Sequence, residues 1–92
     1  MKSEKAVEVM EKQKRALCDL RDGESGRVVS IGECGGLGQR LIELGFVSGT
    51  RVNRLFSAPS GDPAAYLIRD AVIALRASDA EGITVMNYEF FR

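Results

Sequence analysis

Residues 32–46 read GECGGLGQRLIELGF. Four glycines and a cysteine lead into a short apolar-periodic segment, and a fifth glycine stops it. This run is a phosphate-cradling loop at a helix start, a metal site around Cys34, or a strand exit followed by a small helix. A phosphate loop requires G-x-x-x-x-G-K-[ST]. Counting five residues on from Gly32, Gly35 and Gly36 gives Leu37, Arg40 and Leu41, so all three frames fail. The dinucleotide pattern G-x-G-x-x-G starts at Gly36 and Gly38 but meets Leu41 where its last glycine belongs.

The metal reading is also thin. Glu33 and Cys34 are adjacent, and the chain has no histidine. The other cysteine, Cys18, lies sixteen positions earlier and forms no C-x-x-C pair. A tetrahedral zinc site normally takes several Cys or His ligands. Glu33 and Cys34 therefore stand as weak candidates, and two such cysteines in a reducing compartment are expected as free thiols.

The structural account explains more of the run. Leu37, Leu41 and Leu44 recur at i, i+4 and i+7, one face of a helix that Ile42 widens. Gln39, Arg40 and Glu43 make the polar face. Gly45 falls where a left-handed C′ residue belongs, and Phe46 at C″ is placed to touch Leu41. A methyl group at Gly45 is then expected to cost about 1 kcal/mol or more.

Outward from this helix, turn dipeptides punctuate short β-prone runs. Asp22-Gly23 and Ser25-Gly26 precede a strand over 27–31, and Ser48-Gly49 precedes one over 50–57. The loop APSGDP (58–63) leads to a third strand over 64–70. AVIALRA (71–77) is a continuous apolar run, expected as a buried fourth strand. SDAEG holds one helical turn, and ITVMN (83–87) is a fifth strand. Residues 1–16 are rich in helix formers and predict a solvated helical extension. Residues 17–87 form the domain, and YEFFR (88–92) is an aromatic tail. Tyr88, Phe90 and Phe91 either pack on the protein itself or make a weak homo-oligomer contact. The fold class expected is mainly β: a five-stranded barrel with one short inserted helix.

Composition narrows the function. The 92 residues suit a single domain, with 13 Lys+Arg against 13 Asp+Glu and a formal net charge of +0. Nucleic-acid grippers carry a basic excess, so no nucleic-acid partner is expected. No apolar run approaches the ~18 residues of a membrane span, so no direct membrane insertion is expected. The N-terminus shows no signal-peptide apolar stretch, which predicts a cytoplasmic protein. Without histidine, the Ser-His-Asp and Cys-His nucleophilic sites are excluded. The chain is expected not to be an enzyme.

In order, LCDLRDGESGRVVSI, LGQRLIELGFVSGTRV, SGDPAAYLI and VIALRASDAEGITV resemble the FeoA family over residues 17–85. The most specific segment is RLIELGFVSGTRV (40–52), similar to the family pattern R-L-x-x-L-G-x-x-x-G-x-x-V. GDP (61–63) and IALR (73–76) match independently. Two departures are Ser48 where the family often has proline, and Asp70-Ala71 where it usually has glycine. The resemblance implies an SH3-like barrel that acts as an accessory of ferrous iron uptake. Its implied partner is FeoB, a membrane iron transporter with a G-protein domain. On that reading no cofactor is required, and the contact surface is the helix: Leu37, Gln39, Arg40, Leu41 and Glu43. The alternatives are a regulator or carrier of a transition metal, iron or zinc, and an activator of GTP hydrolysis by FeoB that donates Arg40 or Arg54.

Overall fold

The structure, a computed structural model, describes residues 14–32 and 35–87. Six strands and two short helices follow one another: β1 (Lys14–Ala16), β2 (Ser25–Ile31), α1 (Gly38–Leu44), β3 (Arg51–Ser57), β4 (Ala64–Ile68), β5 (Ala71–Leu75), α2 (Ala77–Ala80) and β6 (Ile83–Asn87). Short 3-10 turns occupy Leu17–Asp19 and Gly35–Leu37. All strand pairs are antiparallel, in one sheet of order β1-β6-β2-β3-β4-β5.

The sheet has six strands where five were expected. The additional one is β1, assigned from its sequence to the end of a helical extension. Lys14, Arg15 and Ala16 instead pair with Met86, Val85 and Thr84 of β6. Helix propensity is a weak prior that tertiary pairing overrides. Here the following residue, Leu17, is fully buried in the core and draws the chain onto the sheet. The rest of the expected N-terminal helix (residues 1–13) and the tail residues Tyr88, Phe90 and Phe91 lie outside the described residues.

The core lies on one face of the sheet. Leu17, Leu41, Phe46, Val52, Ile68, Ile83 and Val85 are fully buried, with Tyr66 beside them. Alternation sets which residues enter: on β4, Ala64, Tyr66 and Ile68 point to the core, and Leu67 points away. Register shifts between Val28 and Ser30 and between Arg54 and Phe56 mark β-bulges, which sharpen local twist and curve a sheet. Gly26 permits the close approach of β6, since a Cβ there would lie 2.8 Å from the Met86 carbonyl.

β5 departs from expectation. Its apolar run predicts a strand buried on both faces, yet Val72 is 60% exposed, Ala71 and Ala74 are exposed, and only Leu75 is buried. The strand ends the sheet, so one of its edges has no paired strand among the described residues. The β4–β5 reversal is a two-residue hairpin with Ile68 opposite Ala71. Arg69 and Asp70 both have positive φ, +49° and +68°, as a type I′ turn requires. The reversal is therefore Arg69-Asp70, and Ala71 begins the strand.

Candidate functional site

The site predicted from the sequence is α1. The helix is one run of seven residues between a 3-10 turn and Gly45. At its stop, Gly45 N–H donates to Ile42 C=O at 3.0 Å, and Phe46 N–H donates to Leu41 C=O at 3.0 Å. These are the two bonds of a Schellman motif, with Gly45 at φ +117°. Fully buried Phe46 then anchors the helix to the core.

The motif fixes which side chains face out. Gln39, Arg40 and Glu43 are exposed, and none makes a side-chain hydrogen bond or ion pair with another described residue. With Gly36, Leu37 and Leu44 they line an open hollow beside the helix. Leu37 and Leu44 are half-buried at its margin. Leu41, assigned from the sequence to the contact surface, is 0% exposed and belongs to the core. Ile42, assigned to the apolar face, is instead 46% exposed. It borders a second shallow hollow with Val29, Ile31 and Val47. In a helix this short, the Schellman bonds and the anchoring of Phe46 set the rotation, and i, i+4 spacing alone leaves it open. Four of the five predicted contact residues thus share one accessible surface, and Ile42 is the exposed residue that periodicity misassigns.

The second arginine considered for donation, Arg54, has a different environment. Its Nε donates to Asp22 Oδ1 at 2.8 Å, and its Nη1 donates to the carbonyls of Leu20 at 2.9 Å and Cys18 at 3.2 Å. Ser57 Oγ holds the other Asp22 oxygen at 3.1 Å. The Arg54 side chain is only 12% exposed. It fastens the β1–β2 connection over β3 and is not available to a partner's nucleotide. Beneath it, Tyr66 is buried, and burial pushes its phenol pKa up while Arg54 pulls it down. At the same corner Glu24 accepts from the Arg21 backbone N–H at 2.7 Å. That bond, before the pull of Arg15, holds its carboxyl below the usual range.

Neither metal candidate can be placed: Glu33 and Cys34 lie outside the described residues. Among the described residues, no group of three or more Cys, Asp or Glu converges as metal ligands would. Burial, followed by the charge of Asp19, raises the Cys18 thiol, which disfavours its reactive thiolate. The Asp62 carboxylate serves the fold: its Oδ1 accepts the Ala77 N–H at 2.9 Å, which satisfies an open donor at the start of α2. No helix among the described residues is long and apolar enough to cross a membrane.

Known proteins resemble this chain in sequence and in fold. Residues 15–87 match the FeoA domain family, and the chain belongs to it. A curated relative, the Fe(2+) transport protein A/Fe(2+) transporter FeoB fusion protein of Porphyromonas gingivalis, is 35% identical over 69 residues. The match covers 75% of this chain and 8% of that protein's length. The solution structure of FeoA from Chlorobium tepidum superposes with a TM-score of 0.75 at 32% identity, covering 80% of this chain and 70% of that one. The zinc-complexed FeoA of Stenotrophomonas maltophilia, described as an SH3 domain protein, gives a TM-score of 0.71 at 31% identity, with 77% and 88% covered.

Proposed function

We propose that this FeoA-family chain is a cytoplasmic accessory of ferrous iron uptake that regulates a FeoB-type transporter by binding it. The observation that carries the partner is the Porphyromonas fusion, in which a FeoA segment and FeoB share one polypeptide. Covalent linkage raises the effective concentration of one module at the other, which is useful where the two act together. The observation that carries the surface is the outer face of α1, where Gln39, Arg40 and Glu43 have no partner among the described residues and Leu37 adds an apolar margin. Arginine suits the centre of such a contact, because its planar fork makes several donor bonds at once.

On this reading the chain acts by contact and catalyses nothing itself. The narrower form, in which contact speeds GTP hydrolysis by FeoB, assigns the donated group to Arg40, since Arg54 is fastened within the fold. The test is capture of purified FeoB by the immobilised chain. The wild type retains FeoB, and Arg40→Glu weakens retention about tenfold or more. Undiminished capture by the variant removes the α1 face, and no capture by the wild type removes the partner. GTP turnover with and without the chain separates activation from binding alone.

The zinc in the Stenotrophomonas relative favours metal binding as a second reading. In this chain Glu33 and Cys34 are its candidates. Calorimetric titration with Zn²⁺ or Fe²⁺ tests it, and heat no greater than buffer dilution overturns it.

A further inference from the structure

The sheet has two terminal strands of opposite character. β1 has three residues, with Lys14 exposed and Arg15 engaged with Glu24. β5 is AVIAL, five residues without charge or proline, at the other end of the sheet. Natural edges are usually blunted by lysine, proline or a bulge. β5 carries none of these. Its flanks are charged, Asp70 before and Arg76 after, and neither side chain makes a hydrogen bond or ion pair with another described residue.

The register shows what this edge offers. Ile68 opposite Ala71 closes the hairpin, so residues 71, 73 and 75 bond inward to β4. The N–H and C=O of residues 72 and 74 then point outward. On the face away from the core, Phe56 of β3 lies opposite Ala65, and Ala65 lies opposite Ala74. Val72 lies opposite Leu67 on the same face. Phe56 and Val72 are each 60% exposed. The small Ala65 and Ala74 leave a shallow apolar hollow beside Phe56.

We propose that β5 is a self-association edge, at which a second copy of this chain pairs antiparallel about a two-fold axis at Ile73. In that register Val72 lies opposite Ala74 of the second copy, and the symmetry makes the pair twice. Each pair exchanges two main-chain hydrogen bonds through the outward groups. Each Val72 side chain meets the other copy's Ala74, next to the hollow flanked by Phe56. The same register sets Asp70 opposite Arg76 of the second copy, also twice, so both unpartnered charges gain a neighbour of opposite sign. This charge match selects a second copy as the occupant, because a strand of unrelated sequence has no reason to carry an acid and a base six residues apart in the reverse order. The contact is small, as two five-residue strands dictate, and it forms at high protein concentration. It is independent of FeoB binding through α1.

Sedimentation equilibrium of the full chain over rising concentration tests the proposal. The average mass rises from 10.0 kDa toward twice that value. Val72→Lys, a change at an exposed edge position, raises the dimer dissociation constant about tenfold or more. Arg76→Asp and Asp70→Lys each weaken the dimer by setting like charges opposite, and an equimolar mixture of the two variants restores it as a heterodimer. The restoration cannot arise from a folding defect in either variant. A mass that stays at the monomer value throughout overturns the proposal. So does a dimer indifferent to Val72→Lys, which would move the contact elsewhere, including to Tyr88, Phe90 and Phe91. A mixture no more associated than its components overturns the register.

Discussion

At the β1–β2 corner, the Arg54 guanidinium is filled by a carboxylate and two main-chain carbonyls. On the outer face of α1, Arg40 is exposed and its side chain bonds to no described residue. The same residue type closes the fold in one place and is presented outward in the other. The difference comes from strand register. Arg54 sits opposite Tyr66 on the core-facing side of β3, so its stem passes over a buried ring before the guanidinium meets the backbone of residues 18–20. Arg40 projects from a helix whose buried side, at Leu41, holds it to the core. Local partners, more than residue type, decide whether an arginine is available to another protein.

The sharpest way to break this comparison is Arg54→Ala. The substitution leaves the carbonyls of Cys18 and Leu20 and the Oδ1 of Asp22 without the Arg54 donor, while Ser57 still donates to the other Asp22 oxygen. Hydrogen bonds to a charged group are each worth about 1.5–3 kcal/mol, and part of the corner regains water as it loosens. The expected loss is about 2–3 kcal/mol, seen as a midpoint shift in urea or as a fall in Tm of about 4–8 °C per kcal/mol. Unchanged stability would mean that the corner holds without Arg54 and that the guanidinium is exchangeable after all.

Some of this was legible in the chain. β-branched and apolar runs located β2 through β6, and the Gly45–Phe46 stop was readable to the positions of its residues, because the information lies within six residues. What could not be read lies between distant residues. Arg54 reaches Asp22 across 32 positions, and Asp62 reaches Ala77 across 15. No periodicity encodes either pairing. The rotation of α1, which buries Leu41 and exposes Ile42, depends on Phe46 entering the core. The exposure of β5 follows from its place at the end of the sheet order, a property of topology that an apolar run of AVIAL does not carry. β1 was hidden for a similar reason: three residues are too few for a pattern, and only their pairing with β6 makes them a strand.

Gly45→Ala is the intermediate test, since it disturbs α1 without touching its outer face. An alanine at φ +117° is strained by about 1–2 kcal/mol. Its Cβ would also lie 2.8 Å from the Cδ of Arg69, a flexible side chain that can move aside. The expected destabilisation is therefore about 1–2 kcal/mol, smaller than that of Arg54→Ala. If the two variants unfold at the same midpoint, the helix stop matters to the fold as much as the Arg54 corner does. If Gly45→Ala is neutral, the left-handed stop is not the conformation in solution.

The smallest expected effect is the most discriminating. Arg40→Ala removes an exposed side chain with no bond to another described residue, so its thermal unfolding should match wild type within about 0.5 kcal/mol. A surface retained for binding should show this pattern: a substitution the fold does not register and the partner does. A loss of 1 kcal/mol or more would show that Arg40 carries a structural load, and the contrast with Arg54 would collapse. Near-identical stability combined with weakened FeoB capture would locate the effect in the contact itself, because the helix, its glycine stop and the core beneath Leu41 would all be intact.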